Sequence, residues 1–346
     1  MANFASDEIV STPAAFAVGR FFDGAAGDAT PIIPGLWLFV AALGSLIVVT
    51  LLVLEARLVV DLGNPVALLL MLFGALGIVL RWQLRRPASN VQRIARDGAE
   101  FLGLFILVCL LGTLASYAIA KGSVGYVDAR LEHMDRLLGF NWIAWYEAVS
   151  NHDVLQVLGR TAYGSIVVTP IVILVCHALR GNVAQARRFI ATYWVAAIIT
   201  LIAFHYVPAK GALAFLWHGH IPYMPVSGLY QGEVIDALRA HATNRINLSE
   251  LRGLVCSPSF HTTSAILFIA AGWRLGGLRW PILLLNLAML TATPVEGTHY
   301  LVDMIGGALV AVVALALMAV AMDALWRARG ASALARGGED SLSPAG

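Results

Sequence analysis

Long apolar runs alternate with short polar ones along the whole chain, and this alternation predicts helices that cross a membrane. Eight segments, at about 34–54, 65–84, 99–120, 154–177, 189–207, 259–273, 280–293 and 299–326, approach or exceed the roughly 20 residues needed to span a bilayer. The sixth and seventh are the shortest. Between the spans, arginines mark every second connection: Arg81, Arg85, Arg86, Arg93 and Arg96 after the second, Arg180, Arg187 and Arg188 after the fourth, Arg274 and Arg279 after the sixth, and Arg327, Arg329 and Arg336 after the eighth. The positive-inside rule makes these four segments cytoplasmic, together with both termini. The loops 121–152 and 208–258 and the turn 294–298 then share the opposite, extracytoplasmic face.

Two of those loops carry structure of their own. Residues 125–150 mix Tyr126, Leu131, Met134, Leu137, Phe140, Trp142 and Trp145 with charges, the pattern of a helix lying in the membrane interface. Residues 208–258 hold Trp217, His218, His220, Pro222, Tyr223 and Pro225, followed by a more polar helical piece at about 233–241.

Composition agrees with the pattern. Of 346 residues 59% are hydrophobic and 13% charged, and the mean hydropathy is +0.77. Soluble domains carry about a quarter charged residues. The expected fold class is therefore an all-α polytopic membrane protein with about eight transmembrane helices, sited in a bacterial inner membrane. A net charge of +2 gives no reason to expect nucleic acid. The three cysteines, Cys109, Cys176 and Cys256, form neither a disulfide framework nor a metal-ligand spacing. The first thirty residues show no basic-then-apolar leader, and the tail after Arg327, rich in Ala, Gly and Ser, reads as disordered.

The candidate chemistry sits in two polar stretches that each open an apolar run, Cys256-Ser257-Pro258-Ser259-Phe260-His261-Thr262 and Glu296-Gly297-Thr298-His299-Tyr300-Leu301-Val302-Asp303. His299 and Asp303 are four apart, which places them on one face at the start of the last span. The carboxylate then fixes the imidazole tautomer and leaves the other nitrogen as a base or nucleophile. A purely structural His–Asp pair is the plainer alternative. His261 follows Ser259, a candidate helix cap, and the free amides of that first turn favour an anion. Two helix N-termini converging on one spot, flanked by two imidazoles, suit a phosphate. A transporter or channel using these groups as a proton relay or metal site is the competing function.

Pro258-Ser259-Phe260-His261 resembles the second signature of the type-2 phosphatidic acid phosphatase superfamily, and His299-Tyr300-Leu301-Val302-Asp303 resembles its third. The form His-Tyr-x-x-Asp is most similar to the branch that includes inositol phosphorylceramide synthase, sphingomyelin synthase and many bacterial proteins. The resemblance covers about residues 99–325 and implies a six-helix core. It implies that His299 attacks phosphorus to form a phosphohistidine, that Asp303 orients it, and that His261 protonates the leaving group and then activates water or an alcohol. It also implies a phospholipid, isoprenoid or sphingolipid phosphate as substrate, with no metal and no cofactor; a homo-oligomer stays open. The Ser-Arg that phosphatases of the family carry ahead of the third signature is replaced by Ala292-Thr293, which tilts the resemblance toward the transferases. The first signature has no counterpart beyond Arg86-Pro87, on the wrong face. Substrate phosphate is then expected to meet Ser259, Lys210, Arg252 and Arg239. The domain reading is a cytoplasmic segment at 1–30, two extra spans at 31–98, the phosphatase-like core at 99–326 and the tail at 327–346.

Overall fold

The computed structural model describes residues 32–340, and side chains through Arg327. The N-terminal segment 1–30 lies outside the described residues. Apolar runs become helices because a membrane core offers the backbone no other hydrogen-bond partner. α1 (Gly35–Glu55) leads through a short strand, β1 (Val59–Asp61), to α2 (Pro65–Gln83). α3 (Asn90–Gly122) is capped by Ser89, whose side chain accepts from the Gln92 amide. Two short helices follow, α4 (Asp128–Leu137) and α5 (Trp142–Ser150). α6 (Asp153–Arg180) and α7 (Val183–Tyr206) are long and apolar. The second long loop holds α8 (Ala212–Leu216), α9 (Tyr230–Arg239) and β2 (Arg245–Asn247). α10 (Phe260–Gly272), α11 (Arg279–Glu296) and α12 (Leu301–Asp340) complete the chain.

Among the described residues, seven helices are long and apolar enough to cross a membrane, and α10 is a shorter apolar one. Its 13 residues rise about 20 Å, too little for the roughly 30 Å hydrocarbon core. α10 therefore lies inside the bundle, packed against α7, α11 and α12. An aromatic cluster ties it there. Tyr193 of α7 stacks on Phe268 of α10 at 6.0 Å and meets Phe105 of α3 at 4.7 Å.

The arginine-bearing connections gather at one end of the bundle. Glu100 receives Arg81 and Arg187, and Arg187 also donates to the Ile33 carbonyl. Arg93 donates to the carbonyls of Ala178 and Leu179, and Arg180 to that of Leu275. At the other end, β1 pairs in parallel with β2, Val60 opposite Ile246, so the turn of the first two helices is stitched to the long loop.

Four expectations change. The interfacial segment is two helices, broken between Leu138 and Asn141, where Gly139 takes a positive φ of 75°. The last helix starts at Leu301, so His299 lies in the turn ahead of it and not on its face. The tail expected to be disordered from residue 327 continues as helix to Asp340. The division drawn at 98–99 falls inside α3, which packs against both α1 and α7.

Arg187 and Glu100 are each about one-tenth exposed, so their pair is largely desolvated. Arg187→Ala is expected to lower the unfolding free energy in detergent by about 2 kcal/mol, the worth of a charged hydrogen-bond set. Thermal unfolding measures it, and Arg187→Lys should recover only part, since one ammonium cannot reproduce the guanidinium fork.

Candidate active site

The site is built where α10 meets the start of α12. A Cβ at Gly307 would run into the Ser259 carbonyl, so a glycine there is what lets the two backbones touch. Two hydrogen bonds fill the contact, from the Ser259 amide to the Asp303 carbonyl at 3.0 Å and from Thr263 Oγ1 to the Gly307 carbonyl at 2.8 Å. This contact brings the two sequence-predicted imidazoles together. The rings of His261 and His299 lie 6.2 Å apart, centroid to centroid. His299 is 1% exposed and His261 is half-buried, so the gap opens on the His261 side.

His299 Nδ1 faces Asp303 Oδ2 at 3.8 Å, close but beyond a hydrogen bond. Asp303 spends that oxygen on the Tyr300 amide, at 3.2 Å. This is the reach-back of a capping box, a carboxylate in the first turn satisfying the residue before the helix. The next two amides, of Leu301 and Val302, donate to Asp135 of α4, both at 2.8 Å. The start of α12 is thus closed by two carboxylates and offers nothing to a substrate anion, contrary to the expectation of two converging helix ends. α10 is different. Ser259 Oγ accepts from the Thr262 amide, while the amides of Phe260 and His261 have no acceptor among the described residues. Ser259, fully buried, serves as the cap, and the anion-binding character belongs to the two amides after it.

Several contributing residues were not legible in the sequence. Tyr163 of α6 stacks on His261 at 4.1 Å, and its hydroxyl lies 3.1 Å from His261 Nδ1 and 3.2 Å from Ser227 Oγ. That leaves His261 Nε2 as the nitrogen free for the gap. Arg160, one turn earlier on α6, donates to Tyr223 and to the Met224 carbonyl, and Tyr223 donates to the buried Glu296. The signal was a polar pair three apart inside an apolar run. Asp128 accepts from the amides of Lys210 and Gly211 and from the Tyr300 hydroxyl. Asp128, Leu131 and Asp135 share one helical face, the signal that an amphipathic reading of this segment passed over. Burial pushes the carboxyls of Asp128 and Asp135 above their ordinary range, against the amides that pull them down. Gly211, at φ +102°, has no room for a side chain because Thr298 lies against it, and the Ala212 amide bonds the Thr298 carbonyl. Thr298 itself adopts φ +55°, unusual for a β-branched residue and a mark of strain beside the site.

The expected phosphate-binding cations are engaged elsewhere. Lys210 Nζ pairs with Asp236 at 2.7 Å and sits over the Tyr126 ring. Arg239 donates to the Ala120 and Gly125 carbonyls and to Ser123, under the same ring. Arg252 lies over Tyr230. Against a burial that would raise it, the hydrogen bonds from Lys210 and Tyr126 hold Asp236 below its ordinary range. Arg239 holds α9 to the end of α3, Lys210 holds it to the loop after α7, Arg252 lies on its first residue, and among the described residues none of the three bonds either histidine.

A family model described as the PAP2 superfamily matches residues 129–317, more than half of the chain. The chain belongs to the PAP2 superfamily. No curated protein and no solved structure matches it. PAP2 proteins are phosphatases and phosphotransferases of lipid phosphates in membranes, and the matched stretch contains His261, His299, Asp303, Tyr163 and Asp135. α3, which the sequence reading assigned to the core, precedes the match.

Asp135→Ala strips two helix-start amides of their acceptor and is expected to cost about 1–2 kcal/mol, read as a lowered melting temperature. Asp135→Asn, which keeps an acceptor, should lose less.

Proposed function

We propose that this PAP2 protein is a lipid phosphatase or phosphotransferase working through a phosphohistidine on the extracytoplasmic face. The observation that carries the reading is the pair of imidazoles 6.2 Å apart, centroid to centroid, one in the first turn of α10 and one in the turn before α12. His299 Nδ1 is turned to Asp303, so Nε2 is the attacking atom. It bonds phosphorus as the bond to the leaving oxygen breaks, and His261 Nε2 gives its proton to that oxygen. In the second step His261 takes a proton from water or an alcohol, whose oxygen bonds phosphorus and frees His299. Asp303 offsets the charge on the phosphorylated ring. The free amides of Phe260 and His261 support the phosphate oxygens. The substrate is a phospholipid, isoprenoid or sphingolipid phosphate. Ala292-Thr293, where phosphatases of this type carry an arginine, favours an inositolphosphotransferase-like acceptor chemistry. Neither step calls for a metal. Counting against a transporter, His299 lies in the turn before α12 and His261 in the first turn of α10, at helix ends and not mid-span.

Rapid-quench labelling with a phospholipid carrying labelled phosphate tests the mechanism. Wild type should form an acid-labile, base-stable phosphoprotein, and His299→Ala should form none. His299→Ala and His261→Ala should each lower phosphate release or transfer at least a hundredfold. Near-normal turnover in the His299 variant refutes the reading. Tyr163→Phe keeps the ring stack and loses the hydroxyl. It is expected to lower kcat roughly tenfold, with KM little changed and the limb of the pH profile that reports His261 displaced.

A further inference from the structure

Cys256 has no part in the proposed phosphoryl transfer, yet its sulfur is placed against the proposed nucleophile. Cys256 Sγ lies 3.9 Å from His299 Nδ1 and 3.9 Å from Asp303 Oδ2, and those two atoms are 3.8 Å apart. The three atoms form a nearly equilateral triangle whose edges are too long for hydrogen bonds between N and O. Its centre lies about 2.2 Å from each corner, within the roughly 2.0–2.3 Å that zinc makes with thiolate, imidazole and carboxylate. All three side chains are essentially inaccessible to solvent.

Charge points the same way. Asp128, Asp135 and Asp303 are all buried around this spot, and among the described residues none of them pairs with a lysine or arginine. Asp303 Oδ1 has no hydrogen-bond partner among the described residues. Such a cluster of buried carboxylates lacks a cation.

We propose that Cys256 Sγ, His299 Nδ1 and Asp303 Oδ2 form a binding site for a thiophilic divalent cation of the zinc type, which switches His299 off as a nucleophile while it is bound. The metal displaces the thiol proton to solvent, and a dication with one thiolate, one carboxylate and a neutral imidazole is a net-neutral unit. It takes the Nδ1 position that otherwise faces Asp303 and draws electron density from the ring, weakening attack by Nε2. The binding claim stands on geometry alone; the switching claim rests on the phosphohistidine reading.

Full-length protein in detergent, stripped with chelator, is titrated with Co2+ alone. The expected result is one equivalent bound, with a near-ultraviolet thiolate-to-cobalt charge-transfer band, displaced by Zn2+. Cys256→Ser should lose the charge-transfer band and bind at least tenfold more weakly. The double variant Cys109→Ser, Cys176→Ser retains all three ligands and should behave as wild type. No charge-transfer band in wild type, or its persistence in Cys256→Ser, overturns the site. In the second arm Zn2+ should inhibit phosphate release, with the midpoint raised at least tenfold in Cys256→Ser. A protein that binds Co2+ but keeps full activity in Zn2+ overturns the switch. One that binds Co2+ yet never forms phosphoprotein refutes the catalytic reading and leaves the metal site standing.

Discussion

Backbone contact between α10 and α12 is the constraint on which the site depends. Neither helix start carries both imidazoles, so the pair exists only if the two starts touch. The absence of a side chain at Gly307 allows the approach, and the Ser259 amide and Thr263 hydroxyl fix its register against Asp303 and Gly307. In a membrane, where apolar surfaces gain nothing by leaving lipid for each other, such close small-residue packing with interhelical hydrogen bonds is the available adhesive. The shortness of α10 belongs to the same solution. Its first turn meets the turn before α12, while the turn that follows it is held at the opposite end of the bundle by Arg180, which donates to the Leu275 carbonyl.

The electrostatics of the site are arranged around carboxylates. Asp303 and Asp135 close the start of α12, and Asp128 ties Tyr300 to the loop at Lys210 and Gly211. Each acid is matched to neutral amides or a hydroxyl, which leaves its charge uncancelled, and Asp303 Oδ1 has no partner among the described residues. What positive character the pocket has comes from imidazole and from the two amides of α10 that have no acceptor among the described residues. The basic residues of the long loop are engaged elsewhere: Arg239 braces α9 against the end of α3, and Lys210 pairs with Asp236 of α9. The same excess of buried negative charge makes the Cys256 corner attractive to a cation.

The extra N-terminal helices bear on this arrangement through the loop. β1 pairs with β2, and β2 leads through Leu254, whose amide bonds Ser116 of α3, to Cys256 and the start of α10. A segment that looks like an appendage in the sequence is thus attached to the chain entering the site.

Sequence alone determined the membrane class, the span positions to within a few residues in most cases, and the choice of His261, His299 and Asp303 as candidates, which the fold brings together. These are local properties: hydropathy over a span's length, the sign of charge at its ends, and short motifs read along one segment. Tertiary structure alone decided what the motifs touch. Tyr163 against His261, Asp135 on the α12 start and Cys256 beside His299 are contacts between residues far apart in the chain, and no periodicity encodes them. Lys210, Arg239 and Arg252 show the converse. They lie in one long loop, but a charge is drawn to whichever partner folding places nearest, and here those partners are Asp236, backbone carbonyls and tyrosine rings. The helix start of α12 was legible as an anion site until folding supplied Asp135, because an unsatisfied amide takes the first acceptor that packing brings within reach.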